Sequence, residues 1–408
     1  MSIFFELVRF ELKKILRRKR TVIVLAFAVI VGALSVFGTV IGTYYYTDEN
    51  GSEAAISRYE DNMIDRRDGE ALSGRAIDAD LIMEAVEAYK SVVPLESGNY
   101  IGTSEYQNNA RKYSEIYGIV RRTFHLSNFE EFQNLTREQA EQFDAVRLQN
   151  MEQTIMNGAT SENVRKYRQK CLNNFSAALT YEYWGGYYRF VTVMYTTALM
   201  VGAAIAVMLS GIFSDEYTSG ADSLILSSKH GKSLVIGAKL FTAFSVSAVL
   251  IALLSVISLI ESFIVWGASG ANGSLELVSG VFPYPITIGQ AALLYCICML
   301  AGCIMFAAIT ALFSAKLKLP FNTIVIMTAL LIIPLFISIP EGAPVWISCL
   351  ANLLPVGMFA FWGAMFEFQY EIFGLVIPPY IFLPVFAVIV TCICSYFAGR
   401  GFKNHQIT

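Results

Sequence analysis

The stretch from residue 214 to residue 239, SDEYTSGADSLILSSKHGKSLVIGAK, is polar and charged, and it lies between two long apolar runs. The preceding run covers residues 189–213, and the following run covers residues 234–266. An α-helix needs about 20 apolar residues to cross the hydrocarbon core of a bilayer. These segments therefore predict two membrane-spanning helices joined by a polar loop over residues 214–233.

The composition of the 408-residue chain is that of a protein with many such helices. Apolar residues make up 55% of it and charged residues 15%, whereas soluble chains carry about 25% charged residues. The formal net charge of −3 is too small to indicate a nucleic-acid partner. The sequence therefore predicts an all-α polytopic membrane protein that contacts lipid and binds no nucleic acid.

Six apolar runs are long enough to cross a bilayer, and the Lys and Arg residues predict their direction. These residues remain on the cytoplasmic side when they lie in short loops. The basic cluster at residues 17–20, together with Lys316, Lys318 and Arg400, places both termini in the cytoplasm. The predicted spans are residues 21–46, 189–213, 234–266, 286–314, 320–339 and 379–398, and a cytoplasmic tail follows over residues 399–408.

Three regions outside these runs have their own patterns. Residues 1–20 carry apolar and charged residues on different helical faces, which predicts an amphipathic helix on the membrane surface. Residues 47–188 hold 23 of the 33 acidic residues and helix-capping patterns such as Thr136 with Gln139, which predicts a mostly helical extracellular domain. Residues 341–378 are apolar but interrupted by Pro and Gly. This pattern favours short re-entrant helices, and an extra pair of spans is the alternative.

The sequence Gly231-Lys232-Ser233 resembles the end of a nucleotide-binding P-loop. A P-loop also needs a glycine six residues before the lysine, where this chain has Leu226, and it needs a preceding strand. We therefore expect no ATP binding by this chain. No set of Ser, His, Asp or Cys residues stands at catalytic or metal-binding spacing, so we expect neither enzymatic activity nor a metal site or cofactor.

The polar loop has a pattern of its own. Tyr217, Ala221, Leu224 and Ile225 would lie on one face of a short helix, while Glu216 would lie on another. An amphipathic helix of this kind can dock into a groove on a partner protein. An ordinary polar loop between two spans is the alternative.

The order of surface helix, span, inserted domain, span and polar loop resembles the ABC-2-type permeases, which are the membrane subunits of one class of ABC exporter. In that family a cytoplasmic coupling helix follows the second span. Its segment has an acidic residue, a glycine four residues later, an apolar pair, and basic residues before and within the third span. The matching residues here are Glu216, Gly220, Leu224, Ile225, Lys229 and Lys239.

The resemblance implies a function for this segment and for the whole chain. The residues that would contact the ATPase are Glu216, Tyr217, Gly220, Ala221, Leu224, Ile225 and Lys229. The chain would move an apolar or amphipathic cargo, such as a drug, a peptide antibiotic or a lipid, out of a bacterial cell across its plasma membrane. ATP and Mg²⁺ would bind to separate cytoplasmic ATPase subunits, and a second permease half, identical or related, would complete the pathway.

The resemblance also assigns the surface helix over residues 1–20 as an elbow helix and the segment over residues 341–378 as the re-entrant helices. The domain over residues 47–188 is larger than in the minimal exporters of the family. A second function also stays open, namely a sensor that binds an extracellular ligand and signals through the ATPase without transport. A membrane-embedded enzyme ranks below both.

Three residues on the predicted outer side are candidates for a gate or a substrate site. Glu261 is an ionisable residue within an apolar run, and such residues are functional candidates. Its place near the outer end of the third span also lets it reach water at the interface. Trp362 and Phe366 belong to an aromatic cluster that suits an apolar cargo, with lipid contact as the alternative.

Overall fold

The computed structural model describes residues 3–48, 52–93, 100–157, 159–278, 284–340, 343–367 and 369–405. The chain is mostly helical, with 73% of it in helices. It begins with two helices that meet at a short turn, and an antiparallel hairpin of two strands follows. These elements are α1 (Ile3–Leu16), α2 (Lys19–Phe37), β1 (Thr43–Thr47) and β2 (Glu53–Ser57).

The hairpin opens a separate helical unit, here called the inserted domain (residues 43–183). Its core is aromatic: the ring of Tyr89 stacks on that of Tyr117 at 5.0 Å and meets the edge of Phe132 at 5.2 Å. The capping box predicted at Thr136 and Gln139 is confirmed. The helices of the domain are α3 (Arg58–Leu72), α4 (Ala79–Lys90), α5 (Ser114–Phe124), α6 (Phe129–Gln133), α7 (Arg137–Glu141), α8 (Phe143–Asn157) and α9 (Glu162–Leu172).

The rest of the chain returns to long apolar helices, with two groups of short elements between them. These elements are α10 (Gly185–Leu209), α11 (Ser214–Ser219), α12 (Ala221–Ser227), α13 (Leu234–Trp266), α14 (Ile288–Lys316), α15 (Pro320–Ile332), α16 (Val345–Ala351), α17 (Pro355–Phe359), α18 (Phe361–Glu367), β3 (Tyr370–Ile372), β4 (Leu375–Ile377) and α19 (Pro379–Lys403).

Five of the described helices are long and apolar enough to cross a membrane. They are α2, the run Gly185–Ser219 that contains α10 and α11, and helices α13, α14 and α19. The chain is a multi-pass membrane protein. The run predicted as a fifth span, residues 320–339, forms the shorter helix α15 and a 3₁₀ turn over Ile333–Phe336. Pro334 lies in that turn, and proline cannot continue the hydrogen bonding of an α-helix.

The first span is shorter than the sequence predicts. It ends at Phe37 rather than at residue 46, because the three tyrosines of the predicted interfacial belt lie in β1 and pair with β2. Gly42 makes the turn into the strand with a φ of +130°, a conformation that favours glycine. Tyrosine and threonine are favoured in strands, so the strand preference outweighs the apolar character of this segment.

Helices α10 and α14 are the most buried of the long helices, and they hold the segment around α17 between them. Small residues allow this close approach. A Cβ atom added at Gly202 would lie 3.1 Å from Leu331 and 3.2 Å from Phe359, and one added at Gly302 would lie 3.0 Å from Met358. The Tyr295 hydroxyl also donates to the carbonyl of Phe359 at 2.8 Å. The described part of the interrupted segment therefore consists of three helices of five to seven residues and a hairpin.

The two ends of the helical bundle differ. The inserted domain lies at one end, here called the domain end, where Arg189 lies over the ring of Trp266 at 4.5 Å. The other end, here called the basic end, carries α1, α11, α12 and the end of α19. Arg20 contacts Asp215 there at 2.9 Å, and Tyr217 stacks on His405 at 3.9 Å.

Candidate functional site

The basic end of the bundle contains a cluster of four charged side chains, here called the charge cluster (Glu11, Lys14, Glu216 and Lys239), of which Lys14 is half-buried and the other three are buried. Lys239 is fully buried in the second turn of α13. Its Nζ lies 2.5 Å from Glu216 Oε1 and 2.9 Å from Glu11 Oε1, and it donates to the carbonyl of Ile212 at 3.0 Å. Lys14 Nζ lies 2.5 Å from Glu216 Oε1. Two ammonium groups therefore face two carboxylates.

The charge cluster joins three elements that are distant in sequence. Glu11 and Lys14 belong to α1, Glu216 belongs to α11, and Lys239 belongs to α13. A buried charge is costly unless it is paired and hydrogen-bonded, and removal of one partner costs about 3–5 kcal/mol. The pairing therefore fixes the three elements relative to one another.

A second set of ion pairs lies beside the cluster. Asp215 accepts from Arg20 at 2.9 Å and pairs with Arg18 at 2.8 Å. These arginines occupy the turn between α1 and α2 and the start of α2. Helix α11 is thus bound both to α1 and to the first span.

Helix α11 also contacts the fourth and last spans. The backbone N–H groups of Phe213 and Ser214 donate to Ser314 Oγ at 3.0 and 3.2 Å. The hydroxyl of Tyr217 donates to the carbonyl of Ala315 at 2.8 Å, and its ring stacks on His405, just beyond α19. A helix of six residues therefore contacts elements from both halves of the chain.

Gly220 divides the polar loop into two helices. Its φ of +69° is left-handed, and its N–H caps α11 while α12 begins directly after it. The prediction of one amphipathic helix through this loop is therefore wrong, because the chain changes direction at Gly220. Tyr217 lies against the bundle, whereas the Leu224 side chain of α12 is 75% exposed.

The structure brings some of the predicted coupling residues together and separates others. Glu216 lies in the charge cluster rather than on an outer polar face, and Tyr217 faces α14 and α19. Ala221 and Ile225 are half-buried, and Lys229 is exposed. The surface that remains accessible to a partner is therefore centred on α12.

Sequence reasoning missed Glu11, Lys14 and Asp215. One signal was available, because Glu11 lies three residues after Val8 and four before Ile15, within the apolar side of the first helix. An acidic residue on an apolar face indicates a buried cationic partner. Lys239, five residues into a long apolar run, is the complementary signal.

The three candidate gate residues are not gathered into one site by any described contact. One Glu261 carboxylate oxygen is buried without a hydrogen-bond partner among the described residues. The Trp362 ring lies 6.3 Å from that of Tyr295 on α14. Phe366 lies in α18, but its side chain is outside the described part of the chain.

Neither metal chemistry nor a relative identifies this site. Among the described residues, no group of three or more His, Cys, Asp or Glu side chains is placed to hold a metal ion. Scans against protein-family models, curated proteins and solved structures each found no match.

Proposed function

We propose that this chain is the permease subunit of an ATP-driven exporter, and that α11 and α12 pass the movement of a separate ATPase to the spans. The observation that carries the proposal is the bonding of α11 at the basic end. Through the charge cluster, Asp215 and Tyr217, this short helix is tied to α1, α2, α13, α14 and the end of the chain beyond α19. A displacement of α11 would therefore move several spans together.

The orientation of the chain in the membrane follows from the positions of its Lys and Arg residues. Lys and Arg in short loops remain in the cytoplasm, so the basic end faces the cytoplasm and the inserted domain lies outside the cell. Both termini are then cytoplasmic, and α1 lies along the inner membrane surface as an elbow helix. The plasma membrane of a bacterium is the proposed location.

Helix α12 is the proposed contact with the ATPase. Leu224 is exposed at its surface, and Lys229 follows at the end of the helix. An exposed apolar side chain on a short helix suits a groove on a soluble partner. The Gly231-Lys232-Ser233 sequence lies at the start of α13 without a preceding strand, so ATP and Mg²⁺ are assigned to the partner.

The remaining parts complete the proposed exporter. Helix α15 with its 3₁₀ turn is the fifth of six proposed spans, and helices α16 to α18 are proposed to be re-entrant. Helices α2 and α19 leave most of their apolar surface uncovered by the chain itself, so lipid and a second permease half would cover it. Trp362 and the neighbouring aromatic residues suit an apolar or amphipathic cargo.

A sensor without transport is the second candidate function. The inserted domain contains a cavity of about 890 Å³, a volume typical of ligand sites. The domain is also bonded to the segment before the last span, since Arg168 Nε donates to Gln369 Oε1 at 2.7 Å. A ligand in the domain could therefore act on the bundle without being moved across it.

The exchange Leu224→Asp tests the coupling surface. The tagged chain is purified from its own organism, and ATPase subunits in the eluate are identified by mass spectrometry and assayed for ATP hydrolysis. We expect Leu224→Asp to reduce the recovered ATPase at least tenfold, because a buried, unpaired carboxylate opposes docking. Val93→Asp is the matched control, since Val93 is 72% exposed on the inserted domain. Equal ATPase recovery from both variants would refute the proposal.

Transport is separated from sensing in inverted vesicles that contain the purified complex. ATP-dependent accumulation of a member of a panel of amphipathic dyes, peptides and lipids supports the exporter. Stimulation of ATP hydrolysis by an added compound without its accumulation supports the sensor.

A further inference from the structure

The inserted domain contains a large polar cavity that no part of the proposed coupling mechanism uses. It lies between the hairpin, α3, α4 and the turn before α5, and its volume is about 890 Å³. Its wall includes Tyr46 and Ile56 from the hairpin and Ala88 from α4. Ligand sites have volumes of about 300–1,000 Å³, so this cavity has room for a ligand of several residues.

The cavity carries charges of both signs that solvent can reach. The side chains of Arg67 and Glu87 are 74% and 75% exposed, and Lys112 is also exposed. Each makes at most a local contact, such as the pairing of Arg67 with its neighbour Asp68. Exposed pairs of this kind contribute about 0–1 kcal/mol, so they can be exchanged for contacts with a ligand.

Other polar groups of the wall suit an amide backbone. Gln107, Asn108 and Asn109 line the cavity together with Ser91. Gln107 donates to the carbonyl of Ile101 and Asn109 donates to Ser91 Oγ, but an amide has two donor hydrogens and two acceptor lone pairs, so these bonds leave capacity for a ligand. Arg111, in contrast, is buried and held by Asp61 and Asp65, so it supports the wall.

A second cavity of about 220 Å³ adjoins the first on the side of the bundle. The two share Asp68, Arg111 and Lys112, and the second also reaches Arg189 and Trp266 at the ends of α10 and α13. The Nε atom of Arg189 is buried and has no hydrogen-bond partner among the described residues. An unpaired buried donor costs about 1–3 kcal/mol, and an acceptor on a ligand would relieve this cost.

We propose that the two cavities bind an extended peptide segment that carries both acidic and basic side chains. The amides of the wall contact the peptide backbone, and Arg67, Lys112 and Glu87 contact its charges. A carboxylate of the peptide accepts from Arg189 at the inner end. A neutral oligosaccharide fits less well, because its hydroxyl groups offer no charge to the exposed Arg67, Lys112 and Glu87. The inference rests on the proposed function only for the side of the membrane on which the cavity opens.

Calorimetric titration of the purified full chain in detergent, without ATPase, tests this site. The probes are the acetylated and amidated pentapeptides Lys-Ser-Gly-Ser-Glu and Gln-Ser-Gly-Ser-Gln, and chitotriose represents a neutral sugar. We expect the charged peptide to bind at least tenfold more tightly than the neutral one, with an advantage that shrinks in high salt. The exchange Lys112→Glu should weaken binding of the charged peptide at least fivefold.

Lys166→Glu is the matched control, because its side chain is 73% exposed on α9 and does not line the cavity. Glu87→Lys supplies a second test on another exposed wall residue, and size-exclusion profiles verify the fold of every variant. Equal binding of the two peptides, equal effects of Lys112→Glu and Lys166→Glu, or binding of chitotriose alone would each overturn the proposal. None of these results depends on the ATPase, so the coupling proposal is tested separately.

Discussion

Lys239 Nζ lies 2.5 Å from Glu216 Oε1, and neither side chain is reached by solvent to any substantial extent. Lys239 lies in the apolar helix α13. Glu216 lies in the short helix α11, which ends only three residues after it. Their contact therefore couples the position of a short loop helix to that of a membrane span. Glu11 and Lys14 add one negative and one positive charge, so the cluster as a whole stays neutral.

Removal of Lys239 should destabilise the protein strongly. The exchange Lys239→Met leaves Glu11 without its cation and Glu216 with only Lys14, and breaking a buried pair costs about 3–5 kcal/mol. Thermal unfolding in detergent, followed by fluorescence-detected size exclusion, measures the loss. Lys229→Met is the matched control on an exposed lysine and should leave the midpoint unchanged. If the double variant Lys239→Met, Glu216→Gln is no more stable than Lys239→Met, the pairing contributes less than the geometry indicates.

Gly220 should tolerate asparagine better than alanine. No atom lies within 4 Å of a Cβ built there, so only the backbone conformation opposes a side chain. A left-handed residue other than glycine costs about 1–2 kcal/mol, and asparagine is among the least affected. We expect Gly220→Ala to lower the recovery of the ATPase, because the direction of α12 changes, and Gly220→Asn to retain most of it. Equal recovery from the two variants would show that the turn at this position is not required.

The inserted domain should lose stability as pH rises because of Glu115. This residue lies deep in the domain, at the wall of the second cavity. Burial raises the pKa of its carboxyl above the usual value of 4.5, against the lowering effect of the Tyr181 hydroxyl at 2.6 Å. The folded form then holds the proton more tightly than the unfolded chain, so this contribution is present below pH 4.5 and is lost as pH rises through the raised pKa.

Amide hydrogen exchange of the inserted domain between pH 4.5 and pH 7.5 measures this effect, after correction for the intrinsic exchange rates. We expect Glu115→Gln to flatten the pH dependence, whereas Glu162→Gln, on an exposed glutamate of α9, should leave it unchanged. An unaltered slope in Glu115→Gln would contradict the assignment.

Arg147 should be required for attachment of the inserted domain to the bundle. Its guanidinium pairs with Glu276, in the loop between α13 and α14, and donates to the carbonyls of Ser176 and Ala177 at 2.9 and 3.0 Å. The exchange Arg147→Met leaves Glu276 buried without a cation and should cost about 3–5 kcal/mol. Faster proteolysis of the domain in the variant measures the effect, and Arg137→Met, on an exposed arginine, is the control. Unchanged proteolysis would exclude this role.

The sequence predicts the long helices because hydropathy alone determines them, and it places α13 at the residues observed. The prediction from sequence fails where the apolar character of a segment and its preference for a strand or a turn point to different structures. Tyr44 to Tyr46 read as the end of a span, yet they pair as a strand, because only the partner strand at residues 53–57 shows where their hydrogen bonds go. Pro334 is visible in the sequence, but the sequence alone does not show that helix α15 ends just before it.

The sequence draws attention to the loop after the second span, but it does not predict the contacts that the structure shows there. The loop after the second span is where the buried contacts converge, and Glu216 is central to them. Its neighbours Glu11 and Lys14 lie more than 200 residues away in sequence, and no periodicity within one helix reveals a partner at that distance. The turn at Gly220 also separates Tyr217 from Leu224, which a single helical repeat would align.

The inserted domain is connected to the chain at only two points of the sequence, but its bonds reach further. Arg147 meets the loop between α13 and α14, while Arg168 and Asn163 meet Gln369 and Glu371, just before α19. Exchanging this domain for an unrelated one would therefore leave the buried carboxylate of Glu276 and the buried amide of Gln369, in two distant segments, without their partners. A functional chimera would require all three segments to be transplanted together, so they should be inherited as one unit during divergence.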